Sequence, residues 1–97
     1  MAKNEPIHTT IAKNIQTMCG QVILESHTGF PRNESNLYVL TDNGDLLWQA
    51  EKPEPNALFT HVRLNPEGKT LSVYTSMGQA CEIDLKKGTL VSQTNIK

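Results

Sequence analysis

Aromatic residues and cysteines are scarce in this 97-residue chain: one Trp, two Tyr, two Phe and two Cys. The two cysteines, Cys19 and Cys81, lie far apart with no Cys-x-x-Cys spacing, which excludes a zinc ribbon or a thioredoxin-like redox motif. Both read as reduced, buried thiols, with a Cys19–Cys81 disulfide as the alternative. No apolar run approaches the roughly 18 residues that a membrane helix needs, so no membrane partner is expected. The opening residues, Met1 to Pro6, hold no apolar stretch of a secretory signal, and a cytoplasmic location is expected by default. Excess charge of one sign is missing too. Nine Lys and Arg face ten Asp and Glu, and the longest basic run is the pair Lys86-Lys87. Binding to phosphate backbones needs a clustered positive face, so nucleic acid is not an expected partner.

Catalytic signatures are equally sparse. There is no Gly-x-Ser-x-Gly elbow and no glycine-rich phosphate loop, because the glycines stand singly. His8, His27 and His61 share no metal-like spacing and read as scattered surface histidines. Glu82 and Asp84 alternate on one strand and could pair on a divalent cation or in acid–base work, although solvated carboxylates are the simpler reading. The expectation is a protein that is not an enzyme and carries no cofactor or metal. At this length a chain buries only about 60–65% of the surface it exposes when unfolded, which makes residues 1–97 one compact domain.

What is present is a ruler of turns. Gly68, Gly78 and Gly88 fall ten residues apart and close the turns Pro66-Glu67-Gly68, Ser76-Met77-Gly78 and Lys86-Lys87-Gly88; Asp42-Asn43-Gly44 repeats the pattern. Glycine at the third place suits a three-residue hairpin loop that ends in the left-handed region. Alternating apolar residues between the turns predict an all-β fold, an antiparallel meander of about seven to eight strands in the whole chain, read most clearly over residues 36–97.

Registers follow. A three-residue loop at Asp42-Asn43-Gly44 sets Tyr38 opposite Trp48 and Val39 opposite Leu47; a two-residue loop would oppose Asp42 and Asp45. Pro53 and Pro55 make Glu51 to Asn56 a connection. Leu58, Thr60, Val62 and Leu64 then alternate with Phe59, His61 and Arg63. Leu71 falls opposite Ile83, and Val73 opposite Cys81, because a slip would set Val73 against Glu82. The Lys86-Lys87-Gly88 loop brings Val91 opposite Ile83. Residues 1–35 are less regular. Strands near Ile7 to Lys13 and Gln16 to Glu25 are preferred, with a helix through Ile11, Ile15, Met18 and Val22 as the alternative, and 27–35 reads as a polar loop.

The chain also repeats. A shift of 44 residues lays Gly44-Asp-Leu-Leu-Trp48-Gln49 on Gly88-Thr-Leu-Val-Ser92-Gln93, close to the period of propeller blades. Asn65-Pro66-Glu67-Gly68-Lys69-Thr70-Leu71-Ser72-Val73 resembles the turn of WD-type repeats. Gly44-x-x-x-Trp48 and Asp84-x-x-x-Gly88 are similar to complementary halves of the blade motif of quinoprotein-type propellers. The resemblance covers residues 36–95 and implies two blade-like four-stranded units, as a partial propeller or a sandwich-like pair. It departs from the motif at Leu40, where an aspartate belongs, and at Ser92, where a tryptophan belongs. No cofactor or calcium ligand of the enzymes is matched, so no activity is implied.

Under the expected register Tyr38, Leu40 and Trp48 lie on one face and Leu37, Val39 and Leu47 on the other, and both apolar faces need cover. A second copy of the chain is the simplest cover, so a homodimer or larger assembly is expected, and another protein is the further candidate partner. The residues expected to carry binding are Trp48, Phe59, Tyr38, Tyr74, His61 and Arg63; any exposed aromatic among them would anchor an interface. The leading reading is a non-catalytic binding or scaffold protein acting through its sheet surface. The alternative is a small-molecule sensor with a pocket at a subunit interface, using His61, Arg63 and Glu82.

Overall fold

The computed structural model describes residues 6–95. Eight strands and no helix occur among them: β1 (Ile11–Thr17), β2 (Gly20–Glu25), β3 (Leu37–Leu40), β4 (Leu46–Gln49), β5 (Phe59–Leu64), β6 (Thr70–Thr75), β7 (Gln79–Asp84) and β8 (Leu90–Asn95). They form two four-stranded antiparallel meanders, β1-β2-β3-β4 and β5-β6-β7-β8. Short turns keep sequential strands adjacent. The proline-bearing stretch between β4 and β5 is the only long link between the sheets, as two prolines in six residues dictate.

One core joins the sheets. Val22, Leu37, Val39 and Trp48 of the first sheet meet Val62, Leu71, Val73 and Ile83 of the second, none of them more than 9% exposed. Each such side chain contributes about 1.5–3 kcal/mol by leaving water. In the second sheet the apolar alternation sets the register as expected: Leu71 lies opposite Ile83, and Val73 opposite Cys81.

Two expected registers and one expected face assignment change, each through a β-bulge. The Asp42-Asn43-Gly44 loop forms: Thr41 N–H donates to the Asp45 carbonyl at 2.8 Å, and Gly44 N–H to the Thr41 carbonyl at 2.9 Å. Leu47 is then an extra residue, so Val39 faces Trp48 and Tyr38 faces Gln49. An extra residue in one strand turns everything beyond it to the other face. Here it carries Trp48, the largest side chain in the protein, into the core beside Val39. Thr60 bulges β5 in the same way and moves Phe59 from the side of His61 and Arg63 to the core. Val91 bulges β8, so Leu90 rather than Val91 faces Ile83, and Val91 is left 56% exposed.

The N-terminal third is strand, not helix, but its first strand starts four residues later than expected, at Ile11, and the turn Met18-Cys19 leads into β2. Gly20, which interrupts the helical spacing, is required by the sheet. A Cβ there would lie 2.2 Å from the Leu40 carbonyl oxygen, because β2 begins pressed against β3. Cys19 and Cys81 are both free thiols, so the disulfide alternative falls away.

The second face of the first sheet is also covered. Ile23, Tyr38 and Leu40 are 0%, 1% and 8% exposed within a single chain, with Ile11 packed on them. The expectation that this face needs a second copy as its cover therefore loses its premise. Asn36, fully buried, ties the sheets together at one end. Its Nδ2 donates to the carbonyls of Glu25 (2.8 Å) and Phe59 (2.7 Å), and its Oδ1 accepts from Phe59 N–H at 2.8 Å.

Candidate binding face

The outer face of the second sheet is built by strand alternation. Val62, Val73 and Cys81 point inward, so their neighbours point to solvent. Two cross-strand rows result, His61–Tyr74–Ala80–Thr94 and Arg63–Ser72–Glu82–Ser92. All of these residues but His61 line a shallow trough of about 280 Å³. Tyr74 stands up from it, 49% exposed, with the His61 ring edge-on at a centroid distance of 6.0 Å. Ser72 Oγ donates to Asn65 Oδ1 at 2.7 Å, and Asn65 Nδ2 donates to Thr70 Oγ1 at 2.8 Å, which stiffens the floor. Among the described residues neither Arg63 nor Glu82 has a side-chain hydrogen bond or ion pair. Their charges stand two strands apart with Ser72 between them, open to a ligand.

Of the six residues expected to carry binding, the structure brings three together here: Tyr74, His61 and Arg63. The other three are interior, with Tyr38 and Phe59 1% exposed and Trp48 9%. Glu82 and Ser92 join the face, as do Ser72 and Thr94, whose only signal in sequence is their parity on β6 and β8. Asp84 has a local role, its Oδ2 accepting from Lys87 N–H at 3.0 Å in the turn before β8. No group of three His, Cys, Asp or Glu converges as a metal site among the described residues.

The repeat explains why this face is open. Gly44 and Gly88 close equivalent turns, Leu47 and Val91 are the bulged residues, and Trp48 and Ser92 follow them, each pair 44 residues apart. Trp48 turns inward onto the second sheet: its Nε1–H donates to the Leu85 carbonyl at 3.0 Å, and its ring lies so close to Gly88 that a Cβ there would come within 2.4 Å. Ser92 holds the same place in the second sheet and lines the trough instead. The trough is thus the counterpart of the joint between the sheets, with serine where the joint has tryptophan.

Two other polar features stand apart. Glu25, 0% exposed, accepts backbone N–H groups from Ile7, His8 (3.0 Å) and Thr9 (2.9 Å) and the Tyr38 hydroxyl at 2.5 Å. Burial pushes its carboxyl up, but the hydrogen bonds outweigh it and hold the group below the usual carboxylate range. Burial and the facing Glu25 push the Tyr38 phenol well above its ordinary value. This buckle fastens the segment before β1. Composition gives no hint of it, because most of Glu25's partners are backbone groups. At the turn end, a mixed cleft of about 400 Å³ lies among Met18, Cys19, Lys69, Asp84 and Lys86.

The family model described as "Domain of unknown function (DUF7957)" matches residues 7–95, from the strapped segment to the last strand. The chain belongs to the DUF7957 family. No curated protein and no solved structure is a match to it.

Proposed function

We propose that this DUF7957 chain is a non-catalytic binding protein that recognises another protein through the outer face of its second sheet. The observation that carries the reading is Tyr74, half exposed on a rigid sheet and flanked by the unpartnered Arg63 and Glu82. Tyr and Arg are enriched at interface centres, where an aromatic is immobilised at small entropic cost, and a carboxylate such as Glu82 belongs to the polar rim around them. The trough, at about 280 Å³ and open, falls at the small end for a metabolite pocket, which favours a broad macromolecular contact over a sensor. The likeness to propeller blades belongs to the same proposal. Each sheet is a blade-sized meander, Trp48 and Gly88 form part of the contact between them, and the polar face with Ser92 marks where the stack stops. Propellers close with about four to eight blades, so two sheets alone make an open stack.

The test is a photo-crosslinking residue in place of Tyr74, compared in cells with the same residue in place of Lys13 on the opposite sheet. A discrete adduct with a different polypeptide from position 74, lost with Arg63→Glu and absent from position 13, is the expected result. Equal labelling at both positions, or none at 74, would refute the reading. A second reading attaches to the cleft at Met18 and Cys19, whose about 400 Å³ is within the range of small-molecule pockets. A thermal midpoint raised by a metabolite or divalent ion, and no longer raised after Lys69→Ala, would move the function there.

A further inference from the structure

Four strand edges bound the two sheets, and three carry devices that discourage pairing with another chain. β1 has the exposed Lys13 and a bulge at Ala12. β4 is four residues long and is interrupted by its bulge at Leu47. β5 bulges at Thr60, has the backbone of Phe59 occupied by Asn36, and bears His61 and Arg63. Charged side chains, bulges and short length are the means by which edge strands are kept from templating aggregation.

β8 is different. Leu90-Val91-Ser92-Gln93-Thr94-Asn95 contains no charge and no proline. Its bulge comes at the start, at Val91, and from Ser92 to Asn95 it is regularly paired with β7. Leu90 N–H is taken by the Glu51 carboxylate at 2.7 Å, so the bulged end is closed and the regular stretch is left as the open part. Val91 through Thr94 are all exposed.

We propose that β8 is the docking edge for a second copy of this chain, two β8 strands pairing antiparallel across a two-fold axis at Gln93. The occupant follows from charge. Self-pairing of β5 would set Arg63 beside its own copy or beside the imidazole of its copy's His61, whereas β8 meets itself with neutral side chains throughout. The sheet faces limit the register. A two-fold perpendicular to the sheet keeps each outer face on its own side, so the axis passes through a residue. With the axis at Gln93, Ser92 lies beside Thr94 of the partner subunit and Thr94 beside Ser92 of the partner subunit, cross-strand hydroxyl pairs of a stabilising kind. The product is a continuous eight-stranded sheet. A few residues of ladder bury less than the roughly 1,200 Å² of a standard interface, so the dimer forms reversibly as concentration rises. If the binding face above is correct, the dimer also presents two Tyr74 faces on one side and binds bivalently, a consequence that rests on that reading.

The full chain is measured by light scattering behind size exclusion over a wide concentration range. The wild-type mass rises from 10.8 kDa toward twice that value, and Gln93→Lys, which faces two ammonium groups across the axis, holds it at the monomer with an unchanged circular dichroism spectrum. Asn14→Lys on β1 and Tyr74→Ala leave the dimer as it is. Should Gln93→Lys perturb folding, Gln93→Cys in a Cys19→Ser, Cys81→Ala background, which removes the thiol directly opposite position 93, decides the matter by oxidising to a single disulfide-linked dimer. A wild-type mass fixed at the monomer, a dimer indifferent to Gln93→Lys and not captured by Gln93→Cys, or a dimer lost with Tyr74→Ala would overturn the proposal. The crosslink at position 74 tests the face separately, since it asks for a partner other than this chain.

Discussion

The two sheets share one backbone plan and end in opposite ways. In each, the turn before the last strand ends in a glycine, a bulge follows, and the residue after the bulge changes face. In the first sheet that residue is Trp48, which closes on the Gly88 turn and becomes a joint; in the second it is Ser92, and the face stays open. The outer face of the first sheet is closed as well, with Ile11 packed on Ile23, Tyr38 and Leu40 and the strap fastened to Glu25. Equivalent strand geometry thus yields an interior or a surface according to one side chain. This is how a short repeat array terminates: the end repeat keeps the fold and makes its outward face polar.

The largest effect should come from removing the joint. Trp48→Ala is expected to lower stability by about 3–5 kcal/mol in urea unfolding, the usual loss for a large buried aromatic. Gly88→Ala in the wild type should lose about 1–3 kcal/mol as the added methyl collides with the ring. In the Trp48→Ala background that collision is gone, leaving about 1 kcal/mol for an alanine at φ 73°. Fully additive losses would show that the ring does not stand on this glycine.

The sealed face is broken next. Glu25→Gln should cost on the order of 2–3 kcal/mol at pH 7, since it weakens several charge-assisted hydrogen bonds at a buried site. The sign with pH follows from the lowered folded-state pKa. The carboxylate's contribution is complete above the unfolded value of about 4.3 and disappears as pH falls through the folded one. The gap between wild type and Glu25→Gln in urea midpoints should therefore narrow toward pH 3; a constant gap would show that ionisation is irrelevant to the buckle.

The smallest effect sharpens the contrast. Ser92→Trp in a Trp48→Phe background should change stability, relative to that background, by no more than about 0.5 kcal/mol, because the new ring finds no turn to sit on. Its fluorescence should be that of a solvated indole, whereas Trp48 in the wild type emits as a buried one. A buried emission at position 92 would mean that the open face can recruit its own cover.

Much of the fold was legible. Turn glycines and alternating apolar residues disclosed the meander, and in β6 and β7 they disclosed the pairing of Leu71 with Ile83, because any slip there buries a carboxylate. The bulges were not legible. Leu47, Thr60 and Val91 have no compositional mark, since a bulge is one surplus residue whose position is settled by which neighbour gains burial. Each error in face assignment descends from one of them: Trp48 and Phe59 moved inward, and Val91 moved out. The candidate face was half legible for the same reason. His61, Arg63 and Tyr74 lie beyond the bulge of β5 or on the regular β6, where parity holds. Glu25 stayed hidden because a buried carboxylate served mostly by backbone amides looks like any other acid in a list of residues.

Asn36 gives the protein a property beyond its shape. Its side chain stands in for a peptide group between strands that belong to different sheets, and it occupies the Phe59 amide proton from inside the molecule. That proton can meet solvent only when the sheets part. The sheets are therefore one cooperative unit, and hydrogen exchange at Phe59 should run at the rate of global opening while the amides of β8 exchange through local fraying.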